Sequence, residues 1–451
     1  MGRLFGTDGV RGIANKDLTA QLAFRLAQAG AMVLGDGIDR PRLVIGADTR
    51  ISADMLESAM VAGLCSVGCN AVWVGVVPTP AVAYLTRRLG ADGGIVISAS
   101  HNPVEYNGIK FFNREGYKLE DEMEEEIEKL VLQKCDIECS GVEELGRRIN
   151  EVKGTRYYID YLKGTVSRSF EGIRVAVDCA NGASYMAAPA ILKELGADVR
   201  VINNKPDGMN INVNCGSTHP EELADYVREI GADIGLAFDG DADRLIAVDN
   251  KGRVLDGDYI MAICAKRMKE EGKLANDTVV ATVMSNLGFH KAMEKINCQV
   301  EQTAVGDRYV LQRMREKGYS LGGEQSGHII FLDYNTTGDG ILSALQLLES
   351  LKYFDKSLAE MRGIMEKFPQ VLVNAKVSGT DKDAYKRDAI ICSEIERIES
   401  ELKGCGRILI RPSGTEPLVR IMLEGKNKNQ LQFLADNLAK LMESRLGEAG
   451  V

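Results

Sequence analysis

Gly94-Ile-Val-Ile-Ser-Ala-Ser-His-Asn-Pro103 is the stretch on which the reading of this chain turns. Its first four residues form a short apolar run rich in β-branched side chains, the pattern of a buried strand. A hydroxyl at Ser100 and an imidazole at His101 follow, and Pro103 helps end the regular structure. The chain thus delivers a nucleophile to the end of a strand, and strand ends in open α/β sheets are where ligands bind. The meaning of that serine depends on what the rest of the chain brings to it.

Outward from this stretch the same grammar recurs. Arg42-Leu-Val-Ile-Gly-Ala-Asp48, Arg174-Val-Ala-Val-Asp178 and Thr278-Val-Val-Ala-Thr-Val-Met284 are short apolar runs that end in polar loops, each followed by a segment with helical character. Leu89-Gly-Ala-Asp92, Leu195-Gly-Ala-Asp198 and Ile230-Gly-Ala-Asp233 each stop a helical pattern at a glycine before a new apolar run. Repeated strand–helix alternation predicts α/β layers with largely parallel pairing, and the echoes suggest related units used more than once. At 451 residues the chain is too long for one ordinary domain. Breaks fall near Asn150–Gly154, at Asp249–Arg253 and at Phe368-Pro369. The last unit, opening with Val371–Val377 and carrying a strand pair around 407–424, reads as smaller and α+β.

Composition excludes several classes. With 45% hydrophobic and 27% charged residues this is an ordinary globular chain, and no apolar run reaches membrane-spanning length. The N-terminus lacks the apolar stretch of a signal peptide, so the cytoplasm is expected. A net charge of −10 argues against a nucleic-acid partner but leaves room for an anionic small molecule held by local cations. The ten cysteines are expected as reduced thiols, and neither Cys65/Cys69 nor Cys135/Cys139 has further zinc ligands nearby. In the acidic run Glu120–Glu128, Met123, Ile127 and Leu130 share a helical face, which predicts a solvated amphipathic helix instead of a metal site.

Three more motifs carry chemistry. Asp239-Gly-Asp-Ala-Asp-Arg244 follows the apolar Ile234–Phe238. Its three carboxylates at alternate positions, bent by Gly240, suit Mg²⁺, and no Glu closes the run as an EF-hand. Gly322-Gly-Glu-Gln-Ser-Gly-His328 gathers a carboxylate, an amide, a hydroxyl and an imidazole suited to a polyhydroxylated ligand; alone, a surface loop with a structural Glu fits it as well. Arg411-Pro-Ser-Gly-Thr-Glu-Pro417, with Arg420 beyond, has the parts of a phosphate cradle and is not a Walker A loop. Arg11 stands between glycines near the start. Lys110 lies just past the serine loop, where alone it reads as a surface lysine. His219 and His290 read as structural or exposed. A nucleophile, a Mg²⁺ site, a sugar loop and a phosphate cradle together make phosphoryl transfer the natural reaction class.

Taken in this order, the four motifs resemble the α-D-phosphohexomutase superfamily over essentially the full length. Phe5-Gly-Thr-Asp-Gly-Val-Arg-Gly12, Gln325 and Thr303–Val310 resemble its glucosamine-phosphate branch; mannose/glucose mutases usually have methionine in place of Gln325 and a different loop at Gly306-Asp307-Arg308. The resemblance implies three related α/β domains with mixed sheets plus a C-terminal α+β domain of TATA-binding-protein-like type, divided at 1–152, 153–253, 254–367 and 368–451. It implies that Ser100 is phosphorylated in the active enzyme. Asp239, Asp241 and Asp243 bind Mg²⁺, with the Ser100 phosphate as a further ligand. Arg11, His101, Lys110 and Arg244 surround the transferring phosphate, and proton transfer falls to His101, Lys110 or His328. Glu324, Ser326 and His328 meet the sugar, and Arg411, Ser413, Gly414, Thr415 and Arg420 hold its non-reacting phosphate.

The implied reaction is glucosamine 6-phosphate to glucosamine 1-phosphate through a 1,6-bisphosphate, feeding UDP-N-acetylglucosamine and peptidoglycan precursors. A 1,6-bisphosphate of glucosamine or glucose would serve as activator. Dimers are common in the superfamily, and domain closure is expected to gate turnover. The competing readings are a phosphomannomutase/phosphoglucomutase, a non-catalytic sugar-phosphate sensor, for which four intact motifs are superfluous, and a serine hydrolase, which lacks the Gly-x-Ser-x-Gly elbow.

Overall fold

The computed structural model describes residues 4–6, 8–132, 137–378, 383–413 and 417–447. By compactness they fall into two units, Met1–Met284 with Asn297–Ile364, and Ser285–Ile296 with Met365–Val451.

The larger unit holds three sheets. The first contains β1 (Val10–Ile13), β2 (Arg42–Ala47), β3 (Asn70–Val76), β4 (Gly93–Ile97), β5 (Tyr106–Asn113) and β6 (Arg148–Asn150), in the order β1-β5-β4-β2-β3-β6. The second contains β7 (Arg174–Asp178), β8 (Asp198–Ile202), β9 (Ile234–Phe238), β10 (Leu245–Asp249) and β11 (Val254–Leu255), in the order β11-β10-β9-β7-β8. The third contains β12 (Thr278–Thr282), β13 (Gln299–Thr303), β14 (Leu321–Gly323) and β15 (Ile329–Phe331), in the order β13-β12-β14-β15.

One plan underlies all three. A central strand (β2, β7, β12) is flanked by two parallel neighbours, and the second of these (β4, β9, β14) turns into an antiparallel fourth strand (β5, β10, β15). The sheets are therefore mixed, and the repeat suggested by the sequence echoes is a repeat of topology. All three Gly-Ala-Asp glycines take positive φ, at 57°, 96° and 63° for Gly90, Gly196 and Gly231. Glycine enters that region without strain, which is how each helix ends and the next strand begins.

The strands form because their side chains have both faces to fill. β4, β9 and β12 are buried throughout, as runs of β-branched and small apolar residues sandwiched by helices should be. In the first sheet, helices Ala20–Leu34 and Ser52–Ser66 pack together and against β-strand side chains such as Leu43, Ile45 and Ile95. The acidic segment is helical over Asp121–Leu132 and turns Ile127 and Val131 inward, while Glu122, Glu125 and Glu126 are exposed and Glu128 accepts the Leu4 and Phe5 amides. β11 pairs with β10, so the second sheet continues to Leu255. No described helix is long and apolar enough to cross a membrane. The nine described cysteines are free thiols; Cys135 lies outside the described residues.

The smaller unit carries β16 (Gln370–Lys376), β17 (Gly406–Pro412) and β18 (Leu418–Gly425) in the antiparallel order β16-β18-β17. Helices Ala389–Leu402 and Lys428–Leu446 bury Ile398, Leu434 and Leu438 with Val419 and Ile421 of the sheet, an α+β arrangement.

Candidate active site

The serine, aspartate and sugar loops occupy the same position in the three sheets. Each joins a parallel strand to the antiparallel strand that follows it: β4 to β5, β9 to β10, β14 to β15. Topology thus brings Ser100, Asp239–Arg244 and Glu324–His328 to equivalent strand ends, and side-chain contacts join the loops.

Ser100 is buried and sits at φ 53°. A non-glycine residue there is uncommon and persists only when its surroundings fix it. Here they do. The Ser100 amide donates to Ser98 Oγ (3.0 Å), whose hydroxyl donates to Asp48 Oδ2 (2.6 Å). Asp48 is paired with Arg50 (2.9 Å), and Arg50 also donates to the carbonyls of Ser100 (3.0 Å), Asn102 (2.8 Å), Pro103 (2.5 Å) and Tyr106 (3.1 Å). Asn212 donates to the carbonyls of Ser100 and Asn102 from the second sheet's side (2.9 and 3.2 Å).

So fixed, Ser100 Oγ donates to Asp239 Oδ2 at 2.6 Å. Asp239, Asp241 and Asp243 are buried, and each offers an oxygen within 4.8 Å of the others. Asp241 Oδ1 and Asp243 Oδ1 are buried without hydrogen-bond partners. Burial, reinforced by Asp243 and Asp241, pushes the Asp239 carboxyl well above the usual range; burial and Asp241 push Asp243 up as well. Burial acts against Asp241 too, but Lys110 and Thr79 outweigh it and hold its pKa below the usual range. Three carboxylates crowded together with orphaned oxygens are a donor set that fits a hard divalent cation such as Mg²⁺.

The cations expected around a transferring phosphate are here. Lys110 is buried, a correction to its reading as a surface lysine. It has that place because β5 alternates its side chains, and this one meets Asp241 and Asp8, both at 3.0 Å. Burial disfavours its charge, but Asp241, Asp8 and Asp243 outweigh it and raise its pKa to about 12. Arg11 pairs with Asp8, and its Nε is buried without a hydrogen-bond partner. Arg244 donates its amide to Asp239 (3.2 Å), and its Nε lies 3.8 Å from Asp243 Oδ1, buried without a hydrogen-bond partner. His101 is half-buried with Nδ1 3.5 Å from Ser100 Oγ; burial, then Arg244 and Arg11, push its pKa down to about 4.

In the sugar loop, Glu324 accepts from the Gly306 amide (3.1 Å), the residue that starts helix Asp307–Lys317. Ser326 is exposed. His328 is buried, with Nε2 3.6 Å from Asp307 and 3.8 Å from Asp243. Gly338 leaves room for that ring, since a Cβ there would lie 2.4 Å from Nε2. Lys118 bridges Asp8 and Asp307, both at 2.5 Å. Lys110, Asp8, Lys118 and Asp307 line a cavity of about 660 Å³.

Within the smaller unit, Arg411 and Arg420 face each other as direct partners across β17 and β18, and Ser413 is buried with its amide donating to the Leu418 carbonyl (2.9 Å). Gly414 and Thr415 lie outside the described residues. His219 is exposed and His290 half-buried.

Sequence reading gave no role to Asp8, Asp48, Arg50, Thr79, Lys118 or Asn212. Thr79 donates to Asp241 through both its hydroxyl (2.8 Å) and its amide (2.9 Å). The one available signal was Asp48-Thr-Arg50 at the end of β2, the immediate parallel neighbour of β4.

A nucleophilic serine set against an acidic triad, at matched ends of repeated mixed sheets, defines a phosphohexomutase, an intramolecular phosphotransferase of the isomerase class. Family models for the phosphoglucomutase/phosphomannomutase α/β/α domains I, II and III match residues 2–136, 156–252 and 256–368, and that for the C-terminal domain matches 372–441. The chain belongs to this family, within its phosphoglucosamine mutase branch. It is 58% identical over 446 residues to the phosphoglucosamine mutase of Clostridium novyi (strain NT), covering 99% of each chain. Its fold is shared with a phosphoglucomutase/phosphomannomutase family protein from Burkholderia thailandensis (TM-score 0.83, 24% identity, 100% and 98% of the two chains). It is also shared with Aspergillus fumigatus N-acetylphosphoglucosamine mutase, solved in complex with GlcNAc-6P and magnesium (TM-score 0.70, 18% identity, 98% and 95%).

Proposed function

We propose that this chain interconverts glucosamine 6-phosphate and glucosamine 1-phosphate through phospho-Ser100 and glucosamine 1,6-bisphosphate. The observation that carries the reading is the 2.6 Å contact between Ser100 Oγ and Asp239 inside the carboxylate triad. Bound by Asp239, Asp241 and Asp243, with a Ser100 phosphate oxygen as a further ligand, Mg²⁺ would neutralise charge on the phosphoryl oxygens.

The chain's own groups do the rest. In the forward half, the bond between phosphorus and Ser100 Oγ breaks as one forms to the free sugar hydroxyl. The hydroxyl proton leaves to a base in the site, and Ser100 Oγ regains a proton. The bisphosphate then presents its other phosphate, and Ser100 takes it back. Arg11, Arg244 and Lys110 offset charge on the phosphoryl group, and the two buried guanidinium Nε atoms without hydrogen-bond partners support that role. His101, whose Nδ1 lies 3.5 Å from Ser100 Oγ, Lys110 and His328 are the candidates for moving the proton. Glu324, Ser326 and His328 orient the sugar. Arg411, Ser413, Gly414, Thr415 and Arg420 hold its non-reacting phosphate. The product then feeds amino-sugar precursor synthesis in the cytoplasm.

Two measurements test it together. Turnover is compared on glucosamine, mannose and glucose 6-phosphates, with Mg²⁺ and a 1,6-bisphosphate activator. Intact-protein mass is read before and after phosphatase. Preference for the amino sugar and a phosphate on Ser100 are expected. Equal or faster turnover of the neutral sugars overturns the substrate assignment, and full activity in Ser100→Ala overturns the covalent route.

A further inference from the structure

We propose that Asp8 is a positioning residue, whose single carboxylate gathers Arg11, Lys110 and Lys118 into the arrangement in which the first two meet the transferring phosphate. The inference rests on the reading above and adds a residue to which no chemical role falls in that reading.

The geometry is that of a hub. Asp8 Oδ1 accepts Lys118 at 2.5 Å, while Oδ2 lies 3.0 Å from Lys110 and is bonded to Arg11. Two of the three cations have a second anchor. Lys110 reaches Asp241 at 3.0 Å, in the metal loop, and Lys118 reaches Asp307 at 2.5 Å, at the start of the helix that Glu324 caps. Asp8 therefore stands where two chains of charge meet, one running to the metal loop and the other to the sugar loop. Arg11 is the exception: among the described residues its ion pair is with Asp8 alone. Neutralising Asp8 leaves three cations converging on one point without the carboxylate that offsets their mutual repulsion there. Lys110 and Lys118 retain their second carboxylates, so the displacement falls mainly on Arg11. A misplacement of about 1 Å in a group that orients or stabilises a transition state lowers the rate by about 100-fold.

The test is a double-mutant cycle on the full chain, with glucosamine 6-phosphate as substrate and melting temperatures taken alongside. Asp8→Asn is expected to lower kcat by about 100-fold while KM moves less than about threefold. Asp8→Glu should recover a large part of the loss. Arg11→Ala should be severe in the wild-type background, yet add no more than about threefold to Asp8→Asn, because the two act as one unit. Multiplicative losses in the double variant, or an Asp8→Asn chain with kcat within about twofold of wild type, overturn the proposal. Should Asp8→Asn fail to fold, the cycle is run with Asp8→Glu: its displaced carboxylate predicts a folded chain whose loss in kcat is not multiplied by that of Arg11→Ala, and multiplicative losses overturn the proposal. The wild-type control separates the two readings, since a wild-type chain inactive on glucosamine 6-phosphate defeats the proposed function itself.

Discussion

Gly240 and Ser100 touch through their backbones: a Cβ added to Gly240 would lie 2.5 Å from the Ser100 carbonyl oxygen, and 2.9 Å from both Asn212 and Ile211. The aspartate loop and the serine loop come this close only because one of them lacks a side chain. Gly240→Ala must therefore push them apart. The expected result is about 1–3 kcal/mol of lost stability from overpacking, and a kcat lowered by about 100-fold as Ser100 leaves Asp239. Thermal melts and steady-state kinetics on the same preparation check both.

Arg50 is the clamp on the serine loop, with its guanidinium spent on Asp48 and four carbonyls. Arg50→Met strands the Asp48 carboxylate and those carbonyls in the interior, at about 3–5 kcal/mol. Arg50→Lys should be nearly as damaging, because an ammonium does not reproduce a planar five-donor fork. A lysine variant with wild-type melting temperature and kcat would refute this account of Ser100.

Crowded carboxylates make a less intuitive forecast. Without divalent cation the triad is a source of repulsion, so Asp239→Asn is expected to melt at the wild-type temperature or above it in EDTA. Adding Mg²⁺ should raise the wild-type melting temperature, since a ligand bound only by the folded chain stabilises it. The variant should respond little and turn over no substrate. Melting curves with and without Mg²⁺ decide it; a variant with the full wild-type response would place the cation elsewhere.

Asp339 supplies a pH dependence of stability. It is buried, accepting Tyr158 OH (2.8 Å), Asn335 Nδ2 (3.0 Å) and the Leu342 amide (2.9 Å), and burial outweighs these bonds to raise its pKa to about 6. In the unfolded chain the value is about 4. Between those limits the folded state holds the extra proton, so the contribution of Asp339 to stability is full below about 4 and lost as pH rises through about 6. Asp339→Asn should melt lower overall, because its amide would point at the Asn335 amide. It should also lose this part of the slope between pH 4 and 6. Melting temperatures across that range, wild type beside variant, test the sign.

Much of this was legible in the chain because it is local. An apolar run followed by Ser-His, or by three alternating aspartates, declares both a strand and what hangs from its end. The central strands β2, β7 and β12 and the glycines at 90, 196 and 231 were readable for the same reason. The parts that escaped are pairwise and distant. Thr79 meets Asp241 across 162 positions and Lys118 meets Asp307 across 189, and neither residue type is unusual where it stands. Lys110 looked exposed because a lone lysine usually is; only pairing β5 with both β1 and β4 encloses it.

The matched loops after β4, β9 and β14 amount to a division of labour among copies. One copy of the sheet carries Ser100, the next Asp239, Asp241 and Asp243, and the third Glu324, Ser326 and His328. The first sheet taken alone presents Ser100 without the carboxylate that faces it in the folded chain. Ser100 Oγ and Asp239 Oδ2 meet at 2.6 Å across two of these sheets, so the contact exists only once both sheets have formed and come together.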